Sequence, residues 1–224
     1  MSVTHHPWNL SPAEAIELQK RLAPSVIRKS TLNLKQVRTI AGIDTAYREG
    51  IGRAAVVVLQ FENLKTVEFE TAAKPIDFPY VPGLLTFREG PVILEALNKL
   101  KSPPDLLMFD GQGIAHPRRF GIASHIGLLV DIPAIGCAKT KLVGKYQEPD
   151  VEQGSFGYLR DEDDTIGAVV RTRYRVKPVF VSIGHRMNLD DSIKLVLRCS
   201  TGFRLPEPIR QADKLSREMV RNSI

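Results

Sequence analysis

The sequence predicts an α/β protein built around one mixed β-sheet. Three segments rich in β-branched and alternating residues follow one another between positions 39 and 71. Helical patterns then alternate with short apolar runs up to position 138. An antiparallel meander joined to parallel strands, with helices on both faces, is the arrangement that this order favours. We therefore expect a five-stranded core followed by a C-terminal extension.

The elements of the first half are marked by caps and turns. Ser11, with Glu14 three residues later, predicts the start of a helix that runs over residues 11–23. Glycines and the Glu62-Asn63 pair separate the next three strands. The predicted elements are strands at Thr39–Tyr47, Arg53–Phe61 and Leu64–Thr71, a helix at Leu84–Leu100 and a buried strand at Asp105–Phe109.

The second half continues the alternation and ends in a basic helix. Its predicted elements are a helix at Gly121–Val130, a strand at Pro133–Ala138, strands near Thr165–Arg173 and Pro178–Ile183, a helix near Asp190–Ser200 and a helix after Pro208. The acidic run at 161–164 is expected to be a solvated turn between strands, because consecutive side chains cannot all face one ion.

Length and cysteine content limit the class of protein. A chain of 224 residues buries roughly 70% of its unfolded surface, so it needs no disulfide or structural metal. Its two cysteines, Cys137 and Cys199, lie in apolar surroundings and form no CxxC motif. The first ten residues lack the features of a secretory signal, and no apolar run is long enough to span a membrane. We expect one domain over residues 1–224, a monomer, located in the cytoplasm.

The formal charge of +6 is unevenly distributed. Residues 41–110 are acidic on balance, whereas the segments on either side are basic. This suits an enzyme that holds a polyanion around a carboxylate-bound metal. Charge alone favours the simpler alternative of a solvated basic surface.

Carboxylates in apolar strands are the candidate metal ligands. Asp44 lies among apolar residues of the first strand, and Asp110 closes the run LLMF at the carboxyl end of a strand, where α/β proteins bind ligands. A surface strand end remains the alternative for Asp44. Glu89 and Asp213 lie in helical patterns and do not stand out alone. Oxygen donors without a His/Cys ladder would select Mg²⁺ or Mn²⁺ over Zn²⁺.

The loop at Pro79–Gly83 is the second unusual feature. Two prolines hold Tyr80 in a stiff, extended segment, a geometry suited to inserting a ring between stacked bases. The alternative is a proline-rich turn that packs Tyr80 on the core. Lys139 could add a fixed charge, although a solvated lysine at a strand end would look the same.

Several longer strings together resemble the endonuclease V family of deoxyinosine 3′ endonucleases. They are AGIDTAY, PYVPGLLTFREGP, DGQGIAHPRRFGIASHIGLLVDIPAIGCAKTKLVGKY, PVFVSIGHR and GFRLPEPIRQAD, in order over most of residues 25–215. The resemblance implies an RNase H-like fold. It also implies repair of DNA that contains deoxyinosine, by hydrolysis of the second phosphodiester bond 3′ to the lesion, which leaves 3′-hydroxyl and 5′-phosphate ends.

The resemblance also implies site residues and a cofactor. Asp44 and Asp110 would bind Mg²⁺, for which Mn²⁺ would substitute, and Glu89, Asp213 and Lys139 would complete the catalytic group. Tyr80, flanked by Pro79 and Pro82, would be the DNA wedge, with His116 near the scissile phosphate. The implied base pocket comprises Gly83, Leu85, Gly111, Ile122 and Gly136. Inosine-containing RNA is a further candidate substrate. Two rivals remain, a non-catalytic lesion-binding module and a phosphatase for small phosphate esters.

Overall fold

A computed structural model of the chain describes residues 6–222. Its strands are β1 (Thr39–Arg48), β2 (Ile51–Gln60), β3 (Thr66–Pro75), β4 (Leu106–Phe109), β5 (Ala134–Ala138), β6 (Phe156–Asp161), β7 (Asp164–Val170) and β8 (Val179–His185). Its α-helices are α1 (Pro12–Leu22), α2 (Leu85–Asn98), α3 (Ile122–Val130), α4 (Leu189–Arg198) and α5 (Glu207–Arg221), with a 3-10 turn at Ala23–Ser25. The predicted lack of a secretory signal concerns a segment of which residues 1–5 lie outside the described residues.

All eight strands form one sheet in the order β3-β2-β1-β4-β5-β8-β7-β6. The strands β1 to β3 form an antiparallel meander, and β1, β4 and β5 are parallel neighbours. The last three strands continue the sheet antiparallel to β5. The predicted mixed α/β sheet is therefore confirmed, but the five-stranded core was too small. The strands predicted near positions 165 and 178 join the same sheet, and β6 was not predicted.

Helices cover both faces of the sheet, as predicted. Side chains alternate in direction along a strand, so Ile40 and Leu106 face one side while Ile43 and Phe109 face the other. The first side packs on α4 and α5, and the second packs on α2 and α3. None of the helices within residues 6–222 combines the length and apolar character needed to cross a membrane.

The predicted start of the first helix is confirmed in detail. The Ser11 hydroxyl accepts a hydrogen bond from the Glu14 amide, and the Glu14 carboxylate accepts one from the Ser11 amide at 2.8 Å. This reciprocal capping box satisfies two amides that a helix end otherwise leaves unpaired. The helix is thereby fixed at its first turn, and its buried face includes Gln19.

One glycine controls how closely α5 approaches the sheet. A side chain at Gly42 of β1 would lie 1.9 Å from the Pro208 carbonyl oxygen, so only glycine fits there. The close contact brings α5 against β1 and β2, and it places the middle of the helix beside the middle of β1, where Ser216 contacts Asp44. Residues of α5 therefore lie next to β1 and close to the carboxyl end of β4.

Candidate active site

Three aspartates converge where α5 meets β1 and the carboxyl end of β4. They form what we call the acidic cluster: Asp44, Asp110 and Asp213. One carboxylate oxygen of each lies within 4.8 Å of the others. Asp44 shares the face of β1 that carries Gly42, and Asp110 follows β4 in the neighbouring parallel register. Asp213 projects from α5. Strand alternation and the close approach of α5 therefore bring together three side chains that are distant in sequence.

Burial and mutual repulsion make the acidic cluster electrostatically strained. Burial, helped by the charges of Asp110 and Asp213, raises the pKa of Asp44 to about 6, although a hydrogen bond from Ser216 and the charge of Lys139 lower it. The Ser216 hydroxyl donates to Asp44 Oδ2 at 2.5 Å. Within the described residues, no ion pair is formed by Asp44. A half-buried carboxylate with a raised pKa is stabilised in its ionised form by a bound cation.

Lys139 lies beside the other two aspartates of the cluster. Its ammonium is 2.6 Å from Asp110 Oδ2 and 3.2 Å from Asp213 Oδ1. Burial lowers the pKa of Lys139, but the hydrogen bonds and charges of the two aspartates outweigh it, so the pKa is raised overall. The lysine therefore carries a fixed positive charge at the edge of the cluster.

Glu89 lies next to the acidic cluster on the other side of β1. It shares the lining of a 170 Å³ cavity with Asp44 and Asp110. Burial, together with the charges of Asp44 and Asp110, raises the pKa of Glu89 to about 8. The hydroxyl of Tyr47 donates a hydrogen bond to Glu89 Oε1. Tyr47 was missed in the sequence, although its odd position in β1 predicts that it faces α2, the helix that carries Glu89.

The donor set fits a hard divalent cation. The acidic cluster offers only carboxylate oxygens, and Glu89 adds a fourth carboxylate nearby. Mg²⁺ and Mn²⁺ prefer such donors, whereas structural zinc sites use thiolate and imidazole. The half-buried carboxylate of Asp44, which forms no ion pair with any described residue, is the observation that favours a cation here.

The Pro79–Gly83 loop leaves its aromatic ring in solvent. Tyr80 is 74% exposed, so the alternative in which the ring packs on the core is wrong. The Leu84 amide donates to the Val81 carbonyl at 3.0 Å, which closes a turn with Pro82 and Gly83 at its centre. Gly83 has φ of +80°, as the third residue of a type II turn requires. The loop is therefore a stiff turn that projects an aromatic side chain.

A 440 Å³ cavity connects this loop with the acidic cluster. Four of the five predicted base-pocket residues line it, together with Tyr80, Asp110, His116 and Lys139: Gly83, Leu85, Gly111 and Ile122. Gly136 is not in the lining. It lies in β5, where a side chain would collide with the backbone of Gly111 and Gly113, so it shapes the cavity from behind. Gln112, Thr140 and Leu142 also line the cavity and were not predicted.

His116 lies at the wall of the cavity but is itself buried, with 3% of its surface exposed. Both ring nitrogens are within hydrogen-bonding distance of backbone groups, Nε2 at 2.8 Å from the Gly83 oxygen and Nδ1 at 3.2 Å from the Arg118 amide. Burial, together with the charges of Arg118 and Arg119, lowers the pKa of His116 to about 4. The ring is therefore neutral and engaged with the loop.

The acidic run at 161–164 lies away from the acidic cluster, in the turn between β6 and β7, as expected. Arg119 forms ion pairs with Asp161 at 2.9 Å and with Asp164 at 3.1 Å. Arg28 forms a second ion pair with Asp164 at 3.2 Å. These contacts join the turn to neighbouring segments.

Comparison with known proteins identifies close relatives. The family model described as Endonuclease V matches residues 20–214. A protein of Dictyoglomus thermophilum named endonuclease V is 49% identical over 207 residues, covering 92% of this chain and 90% of the relative. The endonuclease V crystal structure from Streptomyces avermitilis superposes with a TM-score of 0.92 at 41% identity, covering 96% of both chains. The Ciona intestinalis endonuclease V, solved in complex with a 24mer DNA containing an inosine followed by a ribo-adenosine, has a TM-score of 0.82 at 28% identity, covering 94% of this chain and 98% of that one.

Proposed function

Because the chain belongs to the endonuclease V family of nucleases, we propose that it cleaves DNA strands that contain deoxyinosine. Cleavage occurs at the second phosphodiester bond 3′ to the lesion and leaves 3′-hydroxyl and 5′-phosphate ends. One observation carries the proposal. The acidic cluster opens, through Asp110, onto a 440 Å³ cavity that is also lined by the loop that exposes Tyr80. A base-sized space thus adjoins a group of carboxylates suited to phosphodiester hydrolysis.

Asp44, Asp110 and Asp213 are the residues that would hold Mg²⁺, or Mn²⁺ in its place. Such an ion, when bound, supplies positive charge to the phosphoryl oxygens and lowers the pKa of an attacking water. Glu89 stands beside this centre with its pKa raised to about 8 by burial. A carboxyl whose pKa lies near the working pH is suited to exchange a proton with water during hydrolysis.

Tyr80 opens the duplex in this proposal. Its exposed ring enters the base stack and supports the strand after the lesion base has turned into the cavity. Deamination of adenine replaces the 6-amino donor by a 6-oxo acceptor, which weakens pairing, so extrusion costs less at inosine than at a normal pair. Part of the selectivity comes from this difference, and the backbone of Gly83 and Gly111 can approach the flat base closely.

Lys139 neutralises charge at the scissile phosphate. Its ammonium spans Asp110 and Asp213 and also borders the cavity, so it can contact a phosphate oxygen without moving far. The net charge of +6 adds a general attraction for the nucleic-acid backbone. We further propose that the protein acts in DNA repair as a cytoplasmic monomer of one domain, with inosine-containing RNA as a second substrate.

A denaturing-gel assay tests this function. An end-labelled duplex with one deoxyinosine is incubated with Mg²⁺, with EDTA, or with the Asp110→Ala variant. We expect nicking at the second 3′ bond that requires Mg²⁺ and disappears in the variant. The protein could instead bind the deoxyinosine duplex without nicking it, and also fail to nick it with Mn²⁺ or to nick inosine-containing RNA. That result would favour a lesion-binding module. Turnover of small phosphate esters that is unchanged by Tyr80→Ala would favour a phosphatase.

A further inference from the structure

The carbonyl oxygen of Gly83 accepts hydrogen bonds from three side chains. The donors are Gln19 Nε2 at 3.0 Å, His116 Nε2 at 2.8 Å and Arg118 Nη2 at 2.8 Å. A carbonyl oxygen has two lone pairs, so three donors, one of them cationic, are an unusually dense arrangement around a single acceptor. We call these three side chains the Gly83 anchor.

The bonding around His116 determines which ring nitrogen carries the proton. The backbone amide of Arg118 donates to Nδ1, so Nδ1 is the acceptor of the neutral ring. The proton is therefore on Nε2, which donates it to the Gly83 carbonyl. The histidine acts in the anchor as a hydrogen-bond donor that is already oriented.

Gln19 links the other parts of the anchor. It is 1% exposed, and its amide is fully used: Nε2 also donates to the Phe120 carbonyl at 3.1 Å, and Oε1 accepts from Arg118 Nε at 2.6 Å. A buried amide is stable only with such partners. The glutamine of α1 thus orients the guanidinium, which in turn reaches Gly83.

The anchor holds the base of the Pro79–Gly83 loop. Gly83 directly precedes Leu84, the N-cap of α2, and follows Tyr80 by three residues. The orientation of its peptide plane therefore affects both the start of α2 and the direction in which Tyr80 projects. A side chain at Gly83 would lie 2.8 Å from Arg118 Nη2, and the φ of +80° also requires glycine. The loop is thus fixed from behind at the point where its turn meets the rest of the protein.

We propose that Gln19 and Arg118 are positioning residues for strand opening. Together with His116, they hold Gly83 against α1 and the segment after β4 while the Tyr80 ring is inserted into the base stack. This inference rests on the proposed function. Unstacking a base from a duplex costs free energy, so the inserted ring is pushed back by the stack. If the turn could change its conformation, the Tyr80 ring would move out of the stack and the base pair would stay closed. Because the turn is held rigidly at Gly83, inserting the ring opens the base pair instead.

The test compares two substrates that differ only in the need for opening. Single-turnover cleavage is measured on deoxyinosine in a duplex and in a single strand, for Gln19→Met and Arg118→Lys. The methionine keeps the volume without the hydrogen bonds, and the lysine keeps the charge without the planar fork. We expect the ratio of duplex to single-strand rates to fall at least tenfold. The matched control is Arg198→Lys, whose guanidinium donates to the Glu62 carbonyl at 2.8 Å on a helix that lines neither cavity nor loop.

A double variant separates this role from general destabilisation. If Arg118 acts through the ring, Arg118→Lys should have little further effect on the ratio in a Tyr80→Ala background, because coupled residues are not additive. Equal losses on both substrates, or full additivity with Tyr80→Ala, would overturn the inference while leaving the nuclease function intact. Failure of the wild type to cut either substrate would overturn the proposed function, and the inference with it. Arg118 is partly exposed, so its variant keeps the test available if Gln19→Met does not fold.

Discussion

The acidic cluster and the Pro79–Gly83 loop border the same cavity but are constructed in opposite ways. The aspartates stand on β1, after β4 and on α5, and their positions result from strand register and helix packing. The loop contains neither helix nor strand, exposes its aromatic ring, and has three side chains bonded to the carbonyl oxygen of Gly83. Hydrolysis needs charges fixed relative to one another, whereas strand opening needs a ring that projects far and cannot recoil. Each region has the rigidity that its task requires.

Removal of one carboxylate should have the largest effect. In Asp110→Asn the side chain keeps its shape but loses the charge that contacts Lys139 and completes the cluster. We expect cleavage to fall by about a thousandfold or more, since charges arranged for a transition state contribute several kcal/mol. Single-turnover rates measure the loss, and fluorescence anisotropy should show DNA binding retained. Substantial nicking by this variant would show that the cluster is not the catalytic centre.

Truncation of the exposed ring should come second and should affect a different step. Tyr80→Ala removes the side chain that enters the stack, which we expect to lower duplex cleavage by about ten- to a hundredfold, the equivalent of a few kcal/mol of unstacking. Tyr80→Phe should restore most of the rate because stacking needs the ring and not the hydroxyl. Rates of the three proteins on one deoxyinosine duplex test this. A loss of the same size in Tyr80→Phe would contradict a stacking role.

The sequence predicted the acidic region better than the loop region for physical reasons. Alternation in β1 places Asp44 on the face that carries Gly42, and the apolar run of β4 ends just before Asp110, next to Asp44 in the parallel register. Asp213 came only from the resemblance, because its position depends on the contact between Gly42 and Pro208, which are far apart in the chain. Gln19 and Arg118 could not be identified, since their partner is a backbone carbonyl that any residue type could supply.

The extent of the sheet was also beyond local pattern. The strands β7 and β8 were expected near their observed places, but their addition to β5 is a long-range pairing that no local signal reports. β6 is short, and half of its residues are exposed, so its apolar pattern is weak. Local periodicity identifies strands more readily than it identifies their neighbours.

The third expected effect is on the pH dependence of stability, and it concerns the acidic region. Burial raises the pKa of Asp44 to about 6 and that of Glu89 to about 8, above their ordinary values of 3.8 and 4.5. The contribution of these two carboxyls to the free energy of unfolding is fully present below about pH 4, where they are protonated in both the folded and the unfolded state. It is lost as the pH rises through their folded-state pKa values of about 6 and about 8. A shift of two pKa units corresponds to about 3 kcal/mol. Burial lowers the pKa of His116 to about 4, which acts in the opposite direction below about pH 6.5. We therefore expect the melting temperature of the metal-free protein to fall by several degrees between pH 5 and pH 8 relative to that of the Glu89→Gln variant.

Two variants and one addition test the origin of that fall. Glu89→Gln should remove the contribution of Glu89 to the pH dependence of the melting temperature, whereas Glu152→Gln, at an exposed position, should leave the pH dependence unchanged. Mg²⁺ should raise the melting temperature more at pH 8 than at pH 5, because it binds the ionised carboxylates. A difference in melting temperature between wild type and Glu89→Gln that stays constant from pH 5 to pH 8 without metal would contradict the assignment of strain to the acidic region.

The smallest effect should come from Tyr47, which belongs to the acidic region but contributes only a hydrogen bond. Tyr47→Phe keeps the ring beneath the Arg88 guanidinium, 4.9 Å from its centre, and removes the hydroxyl that donates to Glu89. Because that hydrogen bond lowers the pKa of Glu89, its loss should raise the pKa further. We expect about a three- to tenfold loss of rate at pH 7, the effect of one hydrogen bond, that is largely recovered at pH 9. Single-turnover rates from pH 6 to 9.5 measure it, with Tyr158→Phe on β6 as the control. A loss that is uniform across this range would assign Tyr47 to packing alone, because only a contact with a titrating carboxyl moves the pH profile.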